Sequence, residues 1–218
     1  MKESSNIKIH EKIVQYSDIT DKKVLEIGCG AGRISSLLAT KCETLVAIDP
    51  DENAINKAKT TISGVNFKIG SGEKINFPSS TFDIVIFTLS LHHQDSSKAL
   101  NEASRVVKNE GKILVIEPVI DGELEQVFSF VHNENAEKIE ALNSIETCML
   151  PVIESEFFSA EWLFENKNDL FQSLFEYYNV PFDSNTANNI TFFLGEKIKL
   201  SPIILEDKMM IQVLAQKY

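Results

Sequence analysis

The alternation of short apolar runs with helix-like segments between residues 24 and 116 is the feature that most constrains the fold. Two of these runs, FDIVIFT at 82–88 and KILVI at 112–116, are apolar at nearly every position. Strands have this character when helices cover both faces of their sheet. The alternation predicts a parallel sheet with right-handed crossovers, and therefore an α/β fold.

The periodicity of the apolar residues predicts where each element lies. A leading helix is expected at 7–19. Core strands are expected at 24–27, 44–48, 65–69, 82–88 and 112–116, and the helices between them at 31–40, 51–62 and 96–108. After Pro118 the pattern predicts helices within 121–150, a strand at 156–164, a helix at 168–178 and a closing strand at 208–217. We therefore expect a mainly helical insertion after the fifth strand.

Composition restricts the class of protein. The 218 residues suffice for one domain with a core, and 43% of them are apolar. No apolar run reaches the roughly 18 residues that cross a bilayer, and the first twelve residues are polar. We therefore expect no membrane span and a cytoplasmic location. The three cysteines form no CxxC pair, so neither a disulfide framework nor a metal site is expected.

The net charge of −11, without any run of Lys or Arg, argues against nucleic-acid binding, which needs basic clusters to neutralise phosphates. Two interpretations of this acidity stay open. It keeps the protein in solution, or it favours a cationic or neutral ligand. The expected partner is a small molecule, and the sequence leaves the oligomeric state undetermined.

The stretch VLEIGCGAGR at 24–33 places three alternating glycines directly after an apolar run, as in the nucleotide-binding turn of α/β proteins. The dinucleotide fingerprint requires a third glycine where Arg33 stands, and the GK[ST] of a P-loop is missing. A carboxylate at Glu26 would repel a pyrophosphate and favour a sulfonium. Asp49, at the end of the second strand, can accept hydrogen bonds from both hydroxyls of a ribose. These residues favour S-adenosylmethionine, and NAD is the weaker alternative.

Four motifs together resemble one known family: VLEIGCGAGR, VAIDP at 46–50, GSGEKINFPSSTFDIVIFTLSLHH at 70–93 and RVVKNEGKILVIEP at 105–118. Their order and spacing are similar to those of the class I S-adenosylmethionine-dependent methyltransferases, in particular the small-molecule branch called type 11. The resemblance implies a Rossmann-like, doubly wound, seven-stranded sheet, mostly parallel with an antiparallel last strand. It implies one domain over 1–218, with a cofactor-binding core at 20–118, a helical insertion at 119–155, and closing elements at 156–218 over the acceptor site.

The resemblance also implies roles for individual residues. Around the methionine part of the cofactor it implies Glu26, through the loop it shapes, and the backbone of Gly28, Gly30 and Gly32. Cys29 is counted with the cofactor-binding residues, and backbone of Leu89 would lie near the amino group. Asp49 would hold the ribose, Pro50 would lie against the adenine, and Ser71, Gly72 and Glu73 would meet the adenine edge. Ser71 departs from the family, which often has Asp there, so adenine recognition loses charge assistance. Simpler roles stay open: the glycines allow a tight turn, Asp49 starts a helix, and Cys29 is a small packed residue.

The chemistry fixes no catalytic residue, since transfer from an activated methyl donor mainly requires that the acceptor be positioned. The candidates are His92, His93 and Glu117, which follow strands at the edge where such sheets bind ligands. The histidines could instead shape the cofactor site, and Glu117 could be a solvated strand end. An aromatic set could form an acceptor wall, a cation cage or simply core: Phe157, Phe158, Trp162, Phe164, Tyr177 and Tyr178.

The resulting expectation is S-adenosylmethionine-dependent methyl transfer to a small-molecule acceptor by in-line displacement. The sequence lacks the [DNS]PPY signature of amino-methylating DNA enzymes and the extra cysteines of arsenic methyltransferases, and after residue 120 it matches no quinone methyltransferase. A non-catalytic S-adenosylmethionine-binding protein or scaffold is the alternative.

Overall fold

The computed structural model describes residues 2–215. Residues 216 and 217 of the expected closing strand, and the outermost residues of the expected domain 1–218, lie outside this described part. The strands are β1 (Lys2–Glu3), β2 (Lys23–Ile27), β3 (Thr44–Asp49), β4 (Val65–Ile69), β5 (Phe82–Thr88), β6 (Val107–Pro118), β7 (Val152–Phe164) and β8 (Ile203–Leu214). The α-helices are α1 (Ser5–Tyr16), α2 (Ser35–Leu38), α3 (Glu52–Thr61), α4 (Ser96–Val106), α5 (Glu123–Ser129), α6 (Asn135–Glu146), α7 (Lys167–Tyr177) and α8 (Ser184–Leu194). Short 3-10 helices cover Leu91–His93 and Gly195–Lys199.

The chain divides into two compact units. The larger comprises Ile9–Glu117, Glu137–Glu156 and Met210–Tyr218, and the smaller comprises Met1–Lys8, Pro118–Ala136 and Phe157–Met209. Strands β7 and β8 contribute residues to both units. The assignment of 1–218 to one domain stays a prediction.

The sheet of the larger unit has the strand order β7-β8-β6-β5-β2-β3-β4. Strand β2 pairs in parallel with β3 on one side and with β5 on the other, so the order reverses at this point. Strands β3 and β4, and β5 and β6, also pair in parallel. The predicted α/β fold with a mostly parallel seven-stranded sheet is confirmed. In the smaller unit, the short β1 adds an antiparallel pairing with β7 that the sequence did not predict.

Side chains on both faces of this sheet are buried against helices, because successive residues of a strand point to opposite faces. Val46 and Ile48 belong to a core cluster with Ala99 and Ala103 of α4. Ala47, between them, belongs to a second cluster that includes Ile55 and Ala58 of α3 and Phe67 of β4. Helices therefore cover both faces, as in a doubly wound fold. In the described residues, no helix combines the length and apolar character needed to span a bilayer.

Several predicted boundaries were wrong for local reasons. The helix expected at 31–40 is reduced to Ser35–Leu38, because Gly30 and Gly32 have φ values of +52° and +84°, outside the helical region. The helical stretch at 121–150 is two helices separated by residues 130–134. The sixth strand starts earlier than expected, at Val152, and the last strand occupies Ile203–Leu214 instead of 208–217. No helix was predicted where α8 lies. The signal for it was Asp183, which caps the helix and accepts from the Thr186 N–H at 2.7 Å.

The glycine at position 32 is required by packing as well as by φ. A Cβ there would lie 2.5 Å from Ile62 Cδ1 and 3.0 Å from Phe67 Cζ. Gly64 has a similar φ of +79°, but a Cβ there would meet nothing within 4 Å. We predict that Gly64→Ala loses about 1–2 kcal/mol through backbone strain alone, and that Gly32→Ala loses about 1–3 kcal/mol more through overpacking. Urea unfolding of both variants measures the difference, and equal losses would contradict the packing role.

Candidate functional site

A cavity of about 510 Å³ opens at the carboxyl ends of the parallel strands, beside the point where the strand order reverses between β2 and β5. Open α/β sheets bind their ligands at this position, and the volume is in the usual range for small-molecule sites. The residues that line it come from the ends of four strands and the loops after them: Ile27, Gly28, Gly30, Asp49, Pro50, Gly70, Ser71, Gly72, Glu73, Leu89, Ser90, His93 and Gln94.

The glycine loop is fixed to the end of β3 by its own backbone. The N–H groups of Gly28 and Cys29 both donate to the carbonyl of Ile48, at 2.8 and 3.1 Å. A Cβ at Gly28 would lie 2.4 Å from Ser90 Cβ, so this glycine allows two loops to pack closely. A Cβ at Gly30 would meet nothing within 4 Å, and Gly30 lines the cavity. Gly30 therefore leaves space where a ligand can approach the backbone.

Asp49 is held in a defined orientation at the cavity wall. Its Oδ2 accepts from the Gly30 N–H at 2.7 Å, and its Oδ1 accepts from the Asp51 N–H at 2.9 Å. Each carboxylate oxygen has a second lone pair. Asp49 can thus accept two further hydrogen bonds from a neighbouring pair of hydroxyls without losing its own contacts.

Glu26 does not present its charge to the cavity, contrary to the electrostatic argument from the sequence. Its side chain is 1% exposed and accepts from the Ser35 hydroxyl. Burial raises the pKa of this carboxyl from its usual 4.5 to about 7. The reason is strand alternation, since Ile27 at the end of β2 lines the cavity. Glu26 contributes to the shape of the loop from beneath.

Cys29 and Gly32 also lie outside the cavity lining. The side chain of Cys29 belongs to the core cluster around Ile55 and Phe67 and is 6% exposed. Burial raises the pKa of its thiol far above the ordinary value, so a reactive thiolate is not available there. The residues of the predicted cofactor set that do come together at the cavity are Gly28, Gly30, Asp49, Pro50, Ser71, Gly72, Glu73 and Leu89.

The turn after β4 forms the wall opposite the glycine loop. The hydroxyl of Ser71 accepts from the Glu73 N–H at 3.2 Å, and Glu73 Oε1 accepts from the Asp95 N–H at 3.0 Å. A Cβ at Gly72 would lie 2.3 Å from Gln94 Oε1 and 2.9 Å from Ile27 Cγ2, so the glycine allows the Gln94 side chain to lie close against the turn. Gln94 was not predicted as a site residue. Its position shortly after a buried strand was the signal that could have indicated a place at the ligand site.

The segment after β5 supplies four lining residues: Leu89, Ser90, His93 and Gln94. Leu89 has a φ of +53°, in the left-handed region that a leucine rarely adopts. Its N–H donates to the carbonyl of Ile116 at 2.8 Å, and the hydroxyl of Ser90 donates to the carbonyl of Ile27 at 2.7 Å. These contacts hold a strained backbone in place, a feature that is concentrated at functional sites.

The three catalytic candidates separate into one cavity residue and one buried pair. His93 is exposed and lines the cavity. Glu117 and His92 are 3% and 5% exposed, and the Nδ1 of His92 is hydrogen-bonded to Glu117 Oε2. Neither of them lines the cavity. Glu117 is thus neither a solvated strand end nor an acid that faces the cavity, the two roles that the sequence left open. It is buried, and its hydrogen-bond partners lie on the segment after β5.

The aromatic set does not form one surface. Trp162 and Phe164 belong to the hydrophobic core of the smaller unit, and the Trp162 indole N–H lies 3.0 Å from both Asp207 Oδ2 and Ser5 Oγ. Tyr177 is exposed, but its ring centroid lies 5.9 Å from that of Trp162 and 5.0 Å from that of Tyr178. Phe157, by contrast, is exposed and takes no part in these ring contacts. The smaller unit therefore uses part of the set as core, with no cage composed of all six.

Comparison with known proteins gives the family of the larger unit's core. Residues 25–115 match the family described as "Methyltransferase domain". The "Uncharacterized methyltransferase YcgJ" of Bacillus subtilis (strain 168) is 28% identical over 113 residues, which are 46% of this chain and 45% of that protein. The "Fatty-acid O-methyltransferase" of Mycolicibacterium smegmatis (strain ATCC 700084 / mc(2)155) is 30% identical over 114 residues, 50% of this chain and 42% of that protein. The chain thus spans less than half the length of these curated relatives.

The fold extends further than the sequence similarity. The solved structure of the YcgJ protein from Bacillus subtilis has a TM-score of 0.70 and 18% sequence identity, and covers 97% of this chain and 100% of that one. At this level of identity the match supports the fold alone. The match at 25–115 and the curated methyltransferase relatives confirm the resemblance to the class I methyltransferases and the expected cofactor, S-adenosylmethionine.

The buried carboxyl of Glu26 predicts a pH-dependent stability. Its pKa is raised on folding, so its contribution is greatest below about pH 4.5 and is lost as pH rises through about 7. We predict that, relative to Glu26→Gln, the wild type loses about 3 kcal/mol of unfolding free energy between pH 4.5 and 8. Urea unfolding of both proteins over this range measures the effect, and parallel profiles would contradict it.

Proposed function

We propose that this chain, whose residues 25–115 match the methyltransferase domain of the class I enzymes, transfers a methyl group from S-adenosylmethionine to a small-molecule acceptor. The observation that carries the proposal is the pairing of Gly30 and Asp49 on one wall of the cavity. Gly30 leaves the backbone open to a ligand, and Asp49 keeps two acceptor positions beside it. The roles of the individual cavity residues are part of the same proposal.

The residues at the cavity fit the adenosine part of this cofactor and leave space for its methionine part. Asp49 suits the two hydroxyls of a ribose, with Pro50 next to it for contact with the base. The turn at Ser71–Glu73 offers a hydroxyl, backbone groups and a carboxylate for the edge of an adenine. At the other wall the backbone of Gly28, Gly30 and Leu89 surrounds the space that remains for the methionine part.

The protein's part in the reaction is to position the reactants. The cofactor, when bound, supplies a methyl group already activated on a sulfonium, which is transferred by in-line displacement. The walls formed by the glycine loop and the segment after β5 orient the donor and limit the access of water. Among the three catalytic candidates, His93 is the one that lines the cavity, where an imidazole nitrogen can accept a proton from an acceptor.

A small-molecule acceptor is supported by the net charge and by the name of one relative. The net charge of −11 opposes binding to the phosphates of a nucleic acid. The relative from Mycolicibacterium smegmatis is named for a fatty acid, which is a small molecule.

Incubation with methyl-labelled S-adenosylmethionine and fractions of cell metabolites tests the proposal. Cofactor binding without transfer to any fraction would favour the non-catalytic alternative. The cytoplasmic location stays a prediction.

We predict that S-adenosylmethionine at 100 times its dissociation constant raises the free energy of unfolding by about 2.7 kcal/mol, and that NAD and ATP do not. Thermal unfolding with each ligand measures this difference.

Asp49→Ala is expected to weaken binding of S-adenosylmethionine by about 1.5–3 kcal/mol, because hydrogen bonds to a charged acceptor are lost. The matched control is Asp51→Ala, which removes a carboxylate two residues away that caps α3. Calorimetric titration measures all three proteins. Equal losses in both variants, or no binding to the wild type, would contradict the placement.

A second prediction concerns the open space at Gly30. Gly30→Ala and Gly64→Ala both put a Cβ on a backbone of positive φ without a protein neighbour within 4 Å. We expect similar losses of stability but a decrease in S-adenosylmethionine affinity of at least about tenfold only for Gly30→Ala, since its Cβ occupies the ligand's space. Thermal unfolding and calorimetry of the pair measure both quantities. Retained affinity in Gly30→Ala would contradict the cradle.

A further inference from the structure

One wall of the cavity is a short segment whose position is not explained by its own secondary structure. Residues 89–94 follow β5, begin with Leu89 at a positive φ and contain a single turn of 3-10 helix. They nevertheless provide four of the residues that line the cavity. A wall of this kind keeps its shape only when contacts from other elements fix it.

Glu117, at the end of the neighbouring strand β6, makes two such contacts. Its Oε1 accepts from the Leu91 N–H at 2.9 Å, and its Oε2 is hydrogen-bonded to His92 Nδ1. The two oxygens therefore hold two consecutive residues of the segment. Both partners are almost fully buried. A buried carboxylate requires such hydrogen bonds, so the pair has few alternative arrangements.

The next residue, His93, is linked to this pair by ring contact. The ring centroids of His92 and His93 lie 3.9 Å apart, with 49° between the ring planes. His93 and Gln94 line the cavity, whereas His92 and Glu117 do not. The buried pair thus lies next to residues that face the ligand space. Glu117 belongs to β6, a strand that contributes no residue to the cavity lining.

We propose that Glu117 and His92 are positioning residues that set the segment 89–94 for cofactor binding. This inference rests on the proposed function, because it requires that S-adenosylmethionine occupies the cavity. Hydrogen-bond geometry, rather than the charge of the carboxylate, is the property that the segment uses. A purely structural role, in which the pair only joins β6 to β5, would affect the stability of the fold without a specific effect on the cofactor.

A matched control is available on α4. Glu102 makes the same two kinds of contact: its Oε2 accepts from the Ile75 N–H at 2.8 Å, and its Oε1 binds Arg105 at 2.7 Å. None of these three residues lines the cavity. Replacement of Glu102 therefore removes a carboxylate with two comparable contacts from the same unit, none of them to a residue that lines the cavity.

The experiment is calorimetric titration of S-adenosylmethionine into wild type, Glu117→Ala, Glu117→Gln, Glu102→Ala and Glu102→Gln, with the thermal midpoint of each protein without ligand. We expect Glu117→Ala to weaken binding at least about tenfold, or about 1.4 kcal/mol. Glu117→Gln stays within about threefold of wild type, since its amide can accept from Leu91 and donate to a His92 tautomer. Both Glu102 variants lose thermal stability but keep wild-type affinity.

The outcomes separate this inference from the proposed function. Absence of binding to the wild type would contradict the proposed function itself. Binding to the wild type with unchanged affinity in Glu117→Ala, or with an equal loss in Glu102→Ala, would overturn the positioning role. Because Glu117→Ala leaves two buried groups unpaired and can fail to fold, His92→Ala is the second variant. It keeps the Leu91 contact, and an affinity equal to wild type in this variant would likewise overturn the inference.

Discussion

Three hydrogen bonds between the glycine loop and the end of β3 are the contacts on which the geometry of the site depends. Gly28 and Cys29 donate to the carbonyl of Ile48, and Gly30 donates to the side chain of Asp49. They bring the loop of one strand against the last residues of its parallel neighbour, and they orient the carboxylate at the same time. The glycines of this loop have positive φ values, a backbone conformation that only glycine adopts readily. The arrangement of backbone donors therefore depends on these glycines.

The other walls are joined to this loop by side chains that occupy the space of missing Cβ atoms. Ser90 contacts Gly28, and Gln94 crosses Gly72, so the three loops around the cavity fit into one another. The polar groups that fix them are bonded within the protein, as Ser90 is to the carbonyl of Ile27. The walls of the cavity are therefore held by contacts within the protein.

Apolar periodicity predicted the central strands well, because β2, β3 and β5 are buried on both faces, and the limits of β5 were predicted without error. The loop residues at the ends of strands were predicted through the family resemblance. The expectation that the charge of Glu26 faces the ligand was wrong because the composition of the motif does not reveal which face of a strand a side chain takes, whereas the packed role left open for Cys29 agrees with its burial. Gln94 and the partners of Glu117 were missed because these contacts join residues far apart in the chain, which no local pattern encodes.

The left-handed backbone at Leu89 has a consequence for how this site can change during evolution. A glycine would adopt that φ without strain, yet the chain has a leucine at this cavity-lining position. Part of the fold's stability is thus given up so that a particular surface faces the ligand space. Position 89 is therefore a place where selection for a more stable protein and selection for the present pocket would favour different residues.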